Sequence, residues 1–309
     1  MNKFVVMNSP FVHSGNDVNK MFIYTAVALM IPVVYGIIFF GIQAAFVIMI
    51  ALATCLVSEM LFNLVSKKKF KVDNFSFFVT GLILALTLPV DVPFYVVIGS
   101  GFFSIFVVKQ VFGGLGFNKF NPALCGRCLA GVIAPALASE LYVFTLNEET
   151  YMSLTRGGEN SITNLLSGQA VGGIGTTCIV LIFVCAFILA YTKVIDVKIP
   201  IIAVLSYFVV GTMSVGYENA IMNMFSGSFI FICVFMLTDP NTSPDTFLGK
   251  ILYAILFGVL SALVWNNGNL GENSLFAVAL AVNIVAPIFD KYLEIKPVAR
   301  GGIRNAYKK

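Results

Sequence analysis

Long apolar runs dominate this chain and leave little room for anything else. A first set falls at about residues 21–41, 43–65, 75–88, 94–112 and 123–139, and a second at about 172–192, 199–215, 220–238, 248–266 and 274–290. Runs of this kind read as bilayer helices, because the hydrocarbon interior has no water for backbone amides and the helix satisfies them internally. With 59% hydrophobic and 11% charged residues, the chain has too few charges to coat a soluble domain of 309 residues. The expected fold is all-α: a polytopic membrane protein of about ten transmembrane helices in two groups of five.

Charge sets an expected orientation. With a cytoplasmic N-terminus, the inside loops would hold Lys67, Lys68, Lys69 and Lys71, then Lys119 and Arg127, then Lys193 and Lys198. The cytoplasmic C-terminal tail would carry Lys296, Arg300, Arg304, Lys308 and Lys309. The outward stretch from Glu140 to Leu166 instead holds Glu140, Glu148, Glu149 and Glu159 against Arg156. This bias explains the net charge of +4 better than a nucleic-acid-binding surface, and no nucleic-acid partner is expected. The organisation read from it is a first membrane half over 1–139, an outward loop over 140–171 and a second membrane half over 172–309.

A six-residue pattern, Gly-x-Leu-Gly-x-Asn, occurs at Gly113, Leu115, Gly116 and Asn118 and again at Gly268, Leu270, Gly271 and Asn273. Each copy follows a Leu-Thr with a nearby proline, at Leu86-Thr87-Leu88-Pro89-Val90-Asp91 and at Leu237-Thr238-Asp239-Pro240. Five spans per half would make the second half enter from the opposite side, so the halves are expected to be inverted repeats with a ligand or ion path between them. In the first copy, Gly114 and Gly116 permit positive φ and close approach to a ligand, and Asn118 and Asn121 bring donors and acceptors. Pro122 suits a first helical turn, with Asn121 as its cap. That spacing fits either a ligand-binding loop or a structural reversal whose asparagines satisfy helix ends.

The run from Gly113 to Arg127, Gly-Gly-Leu-Gly-Phe-Asn-Lys-Phe-Asn-Pro-Ala-Leu-Cys-Gly-Arg, carries a family resemblance. With Val79 to Leu86 and Val108-Lys109-Gln110 before it, it resembles the family that holds the D subunit of the Rnf complex and the B subunit of the sodium-translocating NADH:quinone reductase. Ser9-Pro10, Ser58-Glu59, Gly172-Gly-Ile-Gly-Thr-Thr177 and Leu237-Thr238-Asp239-Pro240 fit the same family in the same order. The resemblance implies a flavin-carrying subunit in the cell membrane, part of a translocase that couples electron transfer between ferredoxin and NAD to movement of sodium ions or protons. It implies other membrane and cytoplasmic subunits as partners, FMN joined through its phosphate to a threonine in the outward loop, and riboflavin or a quinone within the membrane. Asn118, Asn121, Gly114 and Gly116 are the expected contacts of that membrane flavin or quinone.

The family's attachment pattern, Asp-x-x-Ser/Thr-x-Ala-Thr, is degenerate here. Thr155 is the leading candidate, with Ser153 and Thr163 as alternatives, and a chain without covalent flavin is the other reading. For the ion path the candidates are Glu59, Asp239 and Asp91, since acids in or beside a bilayer are costly and carboxylates suit both sodium and protons. Glu59 leads them; its bland reading is an interface residue paired with Lys67 or a neighbouring subunit. Cys125 and Cys128 form a CxxC, but His13 is the chain's one histidine and no metal site within the chain is expected. Catalytic residues are not expected, because the redox chemistry belongs to the cofactor. A second function class stays open: a secondary transporter or channel for a small polar solute, built on the same inverted halves without a redox role.

Overall fold

The fold is taken from a computed structural model that describes residues 18–66, 75–118, 120–134, 168, 172–266 and 272–293. In chain order the helices are α1 (Val18–Phe40), α2 (Ile42–Val65), α3 (Ser76–Thr87) and α4 (Phe94–Phe102), which runs on as a π-helical stretch, Phe103–Val111. Then come α5 (Pro122–Ile133), α6 (Ile179–Tyr191), α7 (Lys198–Val215) and α8 (Tyr217–Phe225). Last are α9 (Phe229–Phe231), continued by the π-helical Ile232–Met236, then α10 (Phe247–Trp265) and α11 (Asn273–Leu293). Every regular element among the described residues is helical.

Six of these are long and apolar enough to cross a membrane: α1, α2, Phe94–Val111, α7, α10 and α11. Their outward faces carry residues such as Ile38, Leu64 and Met213, each more than three-quarters exposed, a surface that suits lipid and not water. Three shorter apolar helices are α3, α5 and α6. The expected single run at 220–238 is instead a pair, Tyr217–Phe225 and Phe229–Met236, bent by 63°. Its break falls at Ser226-Gly227-Ser228, where Gly227 takes a φ of 66°.

Two of the short pieces form the centre. Every residue of α3 from Val79 to Thr87 is buried, and so is every residue from Phe229 to Thr238. Both pieces stop inside the molecule, so their last carbonyls need partners from elsewhere in the chain. For α3 these come from the segment expected to start the helix at 172–192. Residues 172–178 are not helical; the amide of Gly175 donates to the Leu86 carbonyl at 2.8 Å and that of Ile174 to the Leu88 carbonyl at 3.0 Å. Arg127 of α5 donates through Nε to the Thr87 carbonyl at 2.9 Å. For the second piece, Asn121 donates through Nδ2 to the Met236 carbonyl at 3.3 Å.

Arg127 is therefore not the loop charge expected from orientation. It is 1% exposed, donates through Nη1 to Asn273 Oδ1 at 2.7 Å, and lies over the Phe276 ring at 4.4 Å. Glu272 lies nearby, and its carboxyl accepts from the Ser228 hydroxyl. Asn273, the asparagine of the second motif copy, is thus bound to the helix that the first copy starts.

The Gly172–Gly175 strap lies so close to α3 that a side chain has no space. A Cβ on Gly173 would lie 2.6 Å from the Thr87 carbonyl carbon and 2.7 Å from the Leu86 carbonyl oxygen. Gly173→Ala should cost about 1–3 kcal/mol, read as a lower melting temperature in detergent. Gly99→Ala on α4, where the added methyl would meet Ile133 at an ordinary 3.4 Å, should leave the melting temperature unchanged or raise it.

Candidate functional site

The first motif copy turns the chain from the π-helical stretch into α5. Gly113, Gly114 and Gly116 have φ values of 119°, 90° and 85°, which only glycine adopts without strain. The amides of Gly113 and Gly114 donate to the carbonyls of Gln110 and Lys109 at 3.1 and 2.9 Å and close the end of the π-helical stretch. Asn121 then caps α5, its Oδ1 accepting from the Leu124 amide, with Pro122 in the first turn. Its backbone amide donates to Asn283 Oδ1 on α11 at 3.1 Å.

This turn closes one end of a cavity of about 120 Å³, where a single water needs roughly 10–15 Å³. The start of α1 contributes Met21, Phe22 and Thr25, and α3 contributes Val79, Thr80 and Ile83. Lys109, Asn118, Asn121, Thr238 and Asp239 make its more polar wall, with Leu115 among the apolar lining. Asn118 is 5% exposed, and its Nδ2 donates to the Phe120 carbonyl at 3.2 Å. Its Oδ1 is buried with no hydrogen-bond partner among the described residues. Such an acceptor is costly unless a ligand donates to it. Asn121 differs: both side-chain polar atoms are already engaged within the protein.

Gly114 and Gly116 shape the turn and do not line this cavity; Gly116 borders an adjoining cleft of about 320 Å³ that also holds Asn118, Asp245 and Asp290. Asp239 does line the cavity, and its carboxylate accepts from the Asn241 amide at 3.3 Å and the Thr242 hydroxyl at 3.1 Å. Asp91 is exposed on the link between α3 and α4 and is not part of the cavity wall. Thr155, Ser153 and Thr163 lie outside the described residues.

Glu59 is paired with Lys109; Lys67, its alternative partner from the sequence, lies outside the described residues. Lys109 Nζ lies 2.9 Å from Glu59 Oε2, and Gln110 Nε2 donates to Glu59 Oε1 at 2.6 Å. Lys109 is 2% exposed and Glu59 13%, so the lysine end of the pair is buried and the carboxylate end part-buried. Neighbouring residues of an α-helix point about 100° apart; the wider π-helical turn at Phe103–Val111 accompanies two consecutive side chains reaching one carboxylate.

The chain matches the family described as NQR2, RnfD, RnfE over residues 5–299. It belongs to that family. The D subunit of the proton-translocating ferredoxin:NAD(+) oxidoreductase complex of Clostridium ljungdahlii is 30% identical over 316 residues, covering 95% of each chain. The D subunit of the Na(+)-translocating ferredoxin:NAD(+) oxidoreductase complex of Acetobacterium woodii is 28% identical over 297 residues, covering 93% of this chain and 92% of that one. The D subunit of the ion-translocating oxidoreductase complex of Actinobacillus succinogenes is 27% identical, covering 94% and 96%.

In this family member, a search confined to acidic residues overlooks Lys109 and Arg127, and among the acids it does not single out Glu272. The signal for the first is a lysine inside an apolar run, which demands a counter-charge within the membrane. Glu272 stands at the variable position of the second motif copy, where the first copy has Phe117, and nothing local marks it as the neighbour of Arg127.

The two asparagines of the turn should separate on mutation. Asn121→Ala removes a helix cap and a bond between distant segments, a loss of about 1–3 kcal/mol, and should lower the melting temperature in detergent. Asn118→Ala should produce a much smaller shift in the same measurement, because its buried oxygen has no protein partner to lose.

Proposed function

We propose that this chain is the D-type membrane subunit of an ion-translocating ferredoxin:NAD oxidoreductase, and that its cavity holds the ring of a flavin or quinone. The observation that carries the reading is that Asn118, whose buried Oδ1 has no partner among the described residues, lines a cavity together with Lys109, at the motif through which the chain resembles its relatives. The residues fit such a ring. Phe22, Val79, Ile83 and Leu115 supply apolar walls, Asn118 Oδ1 an acceptor for a ring N–H or hydroxyl, and Lys109 a cation for an electron-rich edge. When bound, the group supplies the electron-carrying chemistry; the chain's residues orient it, exclude water and set its electrostatic surroundings.

Two further parts belong to this proposal. The outward loop carries FMN, with Thr155 ahead of Ser153 and Thr163 as its attachment site. Counting the bent pair α8–α9 as one, the ten helical segments form two inverted halves with cytoplasmic termini; the order of short buried helix, long helix and asparagine-started helix occurs over α3–α5 and again over α9–α11. Glu59 and Asp239 lie at or beside the cavity and are the acids proposed for the ion path, with Asp91 on the link after α3. The moving ion is sodium or the proton: relatives named for each resemble this chain to nearly the same degree.

The chain purified from cells able to attach flavin should be yellow and give a fluorescent band on a denaturing gel. Thr155→Ala should abolish that band and Thr163→Ala should keep it. A band retained in Thr155→Ala would move the site to Ser153 or Thr163. A colourless chain, with no flavin or quinone extracted, would favour the transporter reading.

A further inference from the structure

Lys109 has one side on the cavity and the other on a carboxylate. It lines the cavity, whereas Glu59 does not. Of the three donors on its ammonium, the described residues take one, through Glu59 Oε2 at 2.9 Å. Glu59 keeps a second, neutral donor in Gln110 Nε2 at 2.6 Å, so the carboxylate stays in place when the charged partner turns elsewhere. The polar residues that line the cavity with it include Asn118, whose Oδ1 has no partner among the described residues, and Asp239, whose carboxylate is already held by Asn241 and Thr242.

We propose that Lys109 is a positioning charge shared by the cavity ligand and Glu59, and that negative charge on the ligand releases Glu59 to hold a cation. This rests on the proposed function, in which the cavity takes a flavin or quinone ring. One electron from a low-potential carrier of a neighbouring subunit adds one negative charge to the ring's site; no bond breaks, and the balancing cation arrives at Glu59. Lys109 then turns its free donors toward the cavity, and Gln110 keeps the carboxylate aimed at the incoming ion. The linkage is reciprocal, so a cation at Glu59 must favour the negatively charged ligand by the same factor that the charged ligand favours the cation.

The test is a dithionite titration of the full-length Thr155→Ala chain in detergent, with sodium varied against choline and pH varied separately. Once the denaturing gel shows this background to be free of attached flavin, the cavity ligand is read alone; if the band persists, the same titration is run in the Ser153→Ala or Thr163→Ala chain that removes it. Visible absorbance identifies a flavin, and an ultraviolet difference spectrum identifies a quinone. The ligand's midpoint potential should rise with the concentration of the coupled cation, approaching about 59 mV per tenfold for one electron. Glu59→Gln should keep the ligand and lose that cation dependence. Lys109→Arg should retain it, and Lys109→Met should lower the potential by the equivalent of a tenfold or greater loss of preference for the charged ligand.

Lys109→Met leaves Glu59 without its counter-charge, so the double variant Lys109→Met with Glu59→Gln, which removes both charges together, guards against simple misfolding. A ligand that stays bound with its cation dependence intact in Glu59→Gln or in the double variant would overturn the inference while leaving the cavity reading standing. No reducible ligand in the parent chain would overturn both.

Discussion

The centre of this protein depends on how two helices end where there is no water. The pieces over α3 and over Phe229–Met236 are buried along almost their whole length and stop inside the bundle. A carbonyl left there without a donor costs several kcal/mol in a hydrocarbon setting, so the rest of the chain is arranged to supply donors. The glycine strap does this for α3, where Ile174 and Gly175 give backbone amides and Arg127 adds its guanidinium. Asn121 does it for the second piece. The donors come from segments far away in sequence, and the two parts of the chain are thereby locked together.

That locking places the polar groups of the site. Asn121 is held between Leu124, Met236 and Asn283, which anchors the turn before it, and Asn118 in that turn lines the cavity with its oxygen free of donors among the described residues. The π-helical stretch before the turn ends with Lys109 and Gln110 both on Glu59. Rigid half-helices, a fixed turn and a buried ion pair therefore meet at one cavity. For the ring proposed to sit there, the half-helices and the turn would be the fixed surroundings, and Lys109 the charge that turns within them.

Much of the helical pattern could be read from apolar runs alone. The expected spans at 43–65, 199–215 and 248–266 lie within a residue of α2, α7 and α10, because each is a long run closed by polar or glycine residues. The helix expected from 172 begins only at Ile179, since Gly172-Gly-Ile-Gly is apolar on average but serves as a strap for α3, a tertiary demand that no local pattern reveals. The bend at Gly227 hides in the same way inside an apolar average. At the site, the glycine motif pointed to Asn118 and Asn121, while their difference in role could not be read, because the partners of Asn121 lie 115 and 162 residues further along the chain. Lys109 was legible as a charge in an apolar run; its pairing with Glu59, 50 residues away, was not.

The central half-helices also bear on how the chain enters a membrane. With 12 residues, α3 is too short to span hydrocarbon unaided, and Phe229–Met236 is shorter still. Each is followed closely in sequence by a helix of spanning length, Phe94–Val111 in one case and α10 in the other. The short piece and its long neighbour are best inserted as a hairpin, with the long helix providing the apolar length and the short one carried in beside it. The polar ends of α3 and of Phe229–Met236 then remain exposed until Arg127, Asn121 and the glycine strap arrive, so assembly of the centre must wait for synthesis of segments well downstream.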